Sequence, residues 1–466
     1  MLKERFFRRV VKLRAEVAST PELPFSGCLT QEQIEGELSK LGISYRDRIY
    51  SPWTTTWIFL SQVLSPDHSC REALARFAAF RAARQLPSCS TETSSYCEAR
   101  QRLPEELLAQ LTRQTGRELH EQSLVGWKFH GRDIQTVDGS IISMPDTPDN
   151  ADFFSKNQNQ KGRIGFPLAR IVVLICLATG AVLDLAIGAY RGKLTGELSL
   201  FRSLQDGLKA GTILLGDRLF CTYCDIAKLA AAGVDCVFRL HAQRSADFRQ
   251  GRRLGRDERS VTWRKPTSRP DWLSAEEFAA LPAELVLRQI RVRVPIPGFR
   301  VRSLVVVTTL SDRREFSRED IANLFRQRWQ AELDLRSIKT VMQMDVLRCK
   351  TPDMIRKEMW THLLAYNLLR SLMCAAATEQ DLKPRQVSFK GSLQLLNAFY
   401  QLIVLSDRRQ LDALCTTLLA SVGEHRVGDR PDRFEPRKRK RAAKPYPPLK
   451  LPRHEERKQC LKKPMG

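Results

Sequence analysis

Long apolar runs are missing from this chain. The longest uncharged stretch, Ile171 to Leu183, falls short of the roughly 20 residues that a membrane-spanning helix needs, and Gly180 interrupts it with a turn signal. The opening residues, Met1 to Arg14, break every apolar pair with charge. They lack the apolar centre of a secretory signal and read as a basic amphipathic helix. A cytoplasmic protein without a membrane partner is expected. Acidic residues are also scarce: 52 Asp and Glu face 76 Lys and Arg, a net charge of +24 over 466 residues. Moderate Gly and Pro exclude a collagen-like chain, and 42% hydrophobic residues exclude a wholly disordered one. A globular chain with length for two or three domains remains, and its charge calls for a polyanionic partner.

Twelve cysteines are spread along the whole chain, several within apolar segments (Cys176, Cys374, Cys415), which suits reduced, packed thiols. Cys221, Cys224, Cys236 and His241 could supply zinc ligands. A lone C-x2-C is a weak signal, however, and packing on a helix and a strand is the expected role.

The pattern divides the chain. Residues 1–130 read as helices only, with a Thr30/Gln33 capping box and Pro104 suited to a first turn, and are expected to form a helical DNA-binding domain. Residues 131–241 alternate as β-β-β-α-β-α-β: Ile134–Val137, a turn at Asp138-Gly-Ser140, a second extended piece, a hairpin about Thr179-Gly180, a short strand ending at Gly216-Asp217, and Val234–Leu240. Residues 242–311 read as a β-rich insertion. Helix resumes over 312–380, where Ser317 and Asp320 cap one long helix through Val341, and continues over 381–429. The tail, 430–466, holds fourteen Lys and Arg against four Asp and Glu, is studded with Pro, and is expected to be disordered.

Three acids fall where a sheet would bring them together. Asp138 and Asp217 close strands and Glu332 lies on the long helix; strand ends of an open sheet gather at a crevice. Clustered carboxylates repel unless protons or cations neutralise them, and their hard oxygens suit a pair of Mg2+ ions. Phe325, Arg328, Glu332 and Lys339 share one face of a regular helix. The plainer alternative is an Arg328–Glu332 ion pair on a solvated face and two aspartates that only serve turns.

The spacing Phe325-x2-Arg328-x3-Glu332-x6-Lys339 resembles the Y-x2-R-x3-E-x6-K signature of the DDE transposases of bacterial insertion sequences, in the group called insertion-sequence family four. Asp138-Gly-Ser140 and Gly216-Asp217-Arg218-Leu-Phe220 resemble that family's first two catalytic Asp regions, and the likeness runs from about Thr93 to the basic tail. The resemblance implies an α/β, RNase H-like catalytic domain with a mixed sheet, flanking helices and a β-rich insertion, between an all-α N-terminal domain and a C-terminal helical region. It implies that Asp138, Asp217 and Glu332 are catalytic and hold two Mg2+ (or Mn2+) ions, and that Arg328, Lys339, Phe325 and Arg218 lie along the DNA. The partners it implies are transposon inverted-repeat ends, a target duplex and a second copy of the chain in a synaptic homodimer. Phe325 keeps the ring of the family's Tyr and lacks its hydroxyl. Related enzymes stack a Trp on a flipped base; Trp272, in a loop, is the candidate, whereas Trp263 and Trp329 are expected to pack. Two other readings stand beside this one: a decayed or co-opted transposase that only binds DNA, and a nonspecific nuclease of the same fold.

Overall fold

The computed structural model describes residues 29–46, 48–157, 165–293, 303–406, 408–428, 451 and 453–462. The basic helix expected at 1–14 and the run Arg437 to Arg441 lie outside the described residues. Among the described residues five helices come first: α1 (Gln31–Lys40), α2 (Pro52–Leu64), α3 (Cys70–Ala83), α4 (Ser94–Arg102) and α5 (Glu105–Glu121). Thr30 and Gln33 form the capping box at α1, each side chain taking the other's backbone N–H. These helices are not set apart from the rest of the molecule. Leu107, Leu108, Leu111 and Leu119 of α5 join one core with the sheet and with α12 (Pro352–Glu379), a long helix buried along most of its length. Gly116 lets α5 come against the backbone of Val182, where a Cβ would overlap the Val182 carbonyl oxygen. Asn367 of α12 fastens the same junction. Its amide nitrogen donates to Val182 O (2.8 Å) and Thr112 O (3.1 Å), and its oxygen accepts from Val182 N (2.8 Å).

A single sheet of nine strands forms the centre, in the order β3-β2-β1-β4-β5-β9-β8-β7-β6. The strands are β1 (Ile134–Ser143), β2 (Leu168–Cys176), β3 (Val182–Ala189), β4 (Ile213–Gly216), β5 (Asp235–Arg239), β6 (Arg252–Gly255), β7 (Glu258–Arg264), β8 (Glu284–Arg293) and β9 (Ser303–Thr308). Three antiparallel strands followed by β4 and β5 parallel to β1 make the mixed sheet expected of an RNase H-like domain. The β-rich stretch is no separate unit: β9 pairs antiparallel with β5, so β6–β9 widen the same sheet. Helices α6 (Pro148–Phe154), α7 (Glu197–Arg202), α8 (Tyr223–Ala231) and α9 (Ala275–Ala280) lie between the strands.

Two local expectations give way. No turn divides β1 at Asp138-Gly-Ser140; the strand runs through, paired with β2 from Gln135 to Ser143. Gly139 is tolerated inside it because its missing Cβ leaves room for the Glu197 side chain, which a Cβ would meet at 2.8 Å. The long helix after Ser317 is also divided. Helix α10 (Arg318–Gln327) keeps the Ser317/Asp320 capping box, Arg328 forms a joint with helical dihedrals, α11 (Trp329–Arg336) comes next, and Ser337–Val341 widens into a π-turn. Beyond α12 come α13 (Phe389–Leu405), α14 (Arg408–Glu424) and, in the tail expected to be disordered, α15 (Arg453–Lys462). Among the described residues no helix is long and apolar enough to cross a membrane.

Candidate active site

Strand pairing creates the crevice. The parallel ladder between β1 and β4 ends at Thr136 and Leu215, while β1 continues, so Asp138 stands just beyond the last paired residues with an open flank. Asp217 comes directly after the end of β4. Alternation along β1 points Val137 into the core on one sheet face and Asp138 to the other, where α10 and α11 lie. The resulting cleft, about 430 Å³, is lined by Asp138, Ser140, Asp217, Arg328, Glu332 and Lys339, together with Arg336 and Thr340.

Several of these charges are already partnered or perturbed. Arg328 donates to a Glu332 carboxylate oxygen at 2.7 Å. Lys339, carried inward by the π-turn, donates to Ser140 Oγ (3.0 Å) and to the Ile141 carbonyl (2.9 Å), tying the helix to β1. Asp138 accepts the Gly139 N–H at 2.9 Å. Burial pushes the Asp138 carboxyl up to about 6; the neighbouring Glu332 and Asp217 charges add to the rise, and Gly139 N–H and Arg328 oppose it. A carboxyl that holds its proton to that pH is chiefly one that burial has stripped of water. The donor set of three carboxylates suits a hard divalent cation, although among the described residues no three acidic, His or Cys side chains stand close enough to share one ion.

Other expected positions fall elsewhere. Phe325 is 6% exposed and packs with Ile321 and Leu324 beneath α10, away from the cleft, so its ring is part of the core. Arg218 is exposed beside Asp217 and does not line the cleft. Trp272 is partly buried against the core on the Val137 face, with the Arg202 guanidinium 3.7 Å over its ring, and Trp263 is buried on that same face. Neither reaches the Asp138 side. Trp329, expected to pack, is 51% exposed at the start of α11. The division at Arg328 turns it outward, one residue from the cleft. Cys221, Cys224 and Cys236 are core residues whose thiols burial pushes up, Cys221 to about 12, and they form no metal site with His241.

Two features escaped the sequence. Arg336 completes a 4-4-3 spacing with Arg328, Glu332 and Lys339, a periodicity that could have revealed it. Asp334 had no such signal. Fully buried on α11, it accepts two bonds from Arg385 (2.6 and 2.7 Å), one from Arg370 and one from the Tyr366 hydroxyl (3.0 Å). Arg385 also donates to the Leu177 and Cys176 carbonyls at the end of β2. This network holds the helix bearing Glu332 against the sheet bearing Asp138.

The strand order and the acid-lined crevice define an RNase H-like α/β protein. Residues 129–368, a little over half of the sequence, match the transposase DDE domain family, and the chain belongs to that family. It is 26% identical over 305 residues to the transposase InsG for insertion sequence element IS4 of Escherichia coli K12, covering 64% of this chain and 65% of that one. It is 27% identical over 128 residues to the putative transposase InsZ of the same organism, covering 27% and 42%. The chain thus spans less than two thirds of the length of the curated relatives it matches. Among solved structures, a piggyBac transposase synaptic complex with hairpin DNA aligns over 88% of this chain and 87% of that one. Its TM-score is 0.45 at 11% identity, a likeness too loose to build on.

Proposed function

We propose that this chain is the transposase of a bacterial insertion sequence, which binds the element's terminal inverted repeats and carries out metal-dependent DNA cleavage and strand transfer. The observation that carries the reading is the convergence of Asp138, Asp217 and Glu332, from two strands and a helix, on one cleft that also holds Arg328 and Lys339. In this reading the three carboxylates hold two Mg2+ or Mn2+ ions, which supply Lewis-acid activation of the attacking oxygen and stabilisation of the leaving one. Arg328 and Lys339 bind phosphate oxygens at the scissile position, where a guanidinium fork and an ammonium oppose the charge of the diester. Arg328, paired with Glu332 at 2.7 Å, would be the cation available to a phosphate oxygen if that carboxylate served as a metal ligand. Exposed Trp329, beside the cleft, gives a base a flat surface for stacking. A synaptic homodimer brings two ends together, as strand transfer of both requires.

The test is incubation of the purified protein with a duplex carrying the inverted repeat that flanks its gene, with Mg2+ or with chelator. Cleavage that releases a 3′-hydroxyl at the repeat end only with the metal, and is lost in Asp217→Asn, is the expected result. End binding with metal present but no strand breakage points to a DNA-binding derivative, and equal cutting of unrelated duplexes points to a nonspecific nuclease.

A further inference from the structure

A second basic surface lies along α10, where β8 runs past the end of its pairing with β7. Arg256, Arg291, Arg293, Arg318 and Arg326 surround a groove between α10, the β6–β7 turn and the end of β8, with Asp257 at its floor. Counting Glu319 on its rim, five cations face two acids. The groove is built and not a scatter of surface side chains. Asp257, 12% exposed, places its two carboxylate oxygens against Arg291 (3.3 Å) and Arg293 (3.4 Å), whose own side chains are 39% and 66% exposed. The Arg291 guanidinium also stacks 4.2 Å over Phe248. Arg318 donates to the Arg256 carbonyl and Arg326 to the Arg293 carbonyl, so α10 and the two β segments hold one another. Below them Glu258 and Arg288, both 1% exposed, form a buried ion pair that Arg288 extends to the Leu310 and Phe316 carbonyls before α10. One buried carboxylate directing two exposed guanidinium forks suits an elongated row of anions, because each fork keeps donors free for oxygens beyond Asp257.

Position names the ligand. Helix α10 carries the groove along its length, from Arg318, ten residues before the joint at Arg328, to Arg326, two residues before it. Ten residues at about 1.5 Å rise span ~15 Å. Across the sheet, β8 and β4 are three strand spacings apart, ~14 Å at about 4.8 Å each. Successive phosphates of one DNA strand are about 3.4 Å apart along the duplex, so the far end of the groove lies roughly four to five nucleotides from the cleft. We infer that this arginine groove is a second phosphate-backbone site, gripping duplex DNA along a run that reaches about four to five nucleotides from the phosphate held in the cleft. The inference rests on the DNA-processing reading of the cleft, and it adds a register to it.

The test uses the full chain and a labelled duplex of about 30 base pairs, with affinity measured across a salt series. Arg256→Gln, Arg293→Gln and Arg326→Gln combined remove three exposed charges and leave the Glu258–Arg288 pair intact. The slope of log affinity against log salt is expected to flatten by about two to three, near 0.9 for each lost phosphate contact. Neutral methylphosphonate linkages about four to five nucleotides from the cut site should weaken the original protein and not the triple variant. An unchanged slope in a variant with unchanged melting temperature overturns the inference. Should the triple variant be unstable, Arg326→Gln alone decides, with an expected flattening of about one. The two readings fail separately: a chain whose slope responds but which never cuts keeps the groove and loses the nuclease chemistry, and one that cuts with an unresponsive slope does the reverse.

Discussion

Asp138 carries the clearest electrostatic consequence. Its folded carboxyl titrates at about 6, above the value near 3.9 of an unfolded chain. The folded state therefore binds the extra proton between those values, and this site's contribution to stability falls as pH rises from about 4 to 6. Asp138→Asn removes that loss. Relative to the original protein it should be more stable at pH 7.5, by on the order of 2 kcal/mol, and no more stable near pH 3.5, as thermal melts at both pH values would show. Cleavage should vanish in the same variant. Trp329 gives a contrasting case. Because it is half exposed, Trp329→Ala should leave the melting temperature unchanged while weakening DNA binding by about 1–3 kcal/mol, the usual loss for one stacked base. A clear drop in melting temperature would return Trp329 to the packing role its neighbours in sequence suggested.

The helices and strands meet through a few buried polar joints. Asp334 is the carboxylate that Arg370, Arg385 and Tyr366 share, so Asp334→Asn leaves two buried guanidinium groups without this counter-charge. A loss of about 3–5 kcal/mol in chemical denaturation is expected, the range for breaking one side of a buried ion pair. Gly116→Ala acts by shape alone: its Cβ would drive α5 off the Val182 carbonyl, so the expected result is a lower melting temperature with the denaturant slope preserved. A second buried joint responds to acid. His68 and His362 face each other with ring centroids 5.6 Å apart, and burial pushes them down to about 4 and about 3, with Arg348 further lowering His68 and His68 lowering His362. Neutral in the folded state, both take up protons readily on unfolding, so their contribution to stability is lost as pH falls from about 6.5. This trend runs against that of Asp138. The net rise of stability with pH should become steeper in Asp138→Asn.

Across the whole molecule the charge of +24 divides between the tail and the folded body. The tail contributes a surplus of ten from residues 430–466, and the folded body supplies the cations around the cleft and the arginine groove. Deleting 430–466 should flatten the salt dependence of DNA binding while leaving the cleft's cleavage chemistry in place. An unchanged slope would make the tail a bystander. The helices before Asp133 are expected to resist removal as a unit, because α5 shares its core with β3 and α12; a fragment starting near residue 130 should expose that core and aggregate.

Much was legible in local chemistry. The Thr30/Gln33 and Ser317/Asp320 boxes, the hairpin at Gly180, and the apolar strands β2 and β3 depend on neighbours within a few residues, so pattern and spacing suffice to place them. Asp138, Asp217, Glu332, Arg328 and Lys339 were legible as a set through their resemblance to a known signature, and they do share a cleft. Long-range packing set the rest. Phe325 is buried and Trp329 exposed, the reverse of the expectation, on either side of the point where the helix divides at Arg328, a joint that no propensity announces. Gly139 became the middle of a strand because Glu197, distant in sequence, occupies the space its missing side chain leaves. The β-rich stretch joined the main sheet because β9 found the open edge of β5, and Trp272 went with it to the face opposite Asp138. Residue spacing reports only the direction a side chain takes from its own backbone; which surface meets it there depends on segments separated by tens or hundreds of residues.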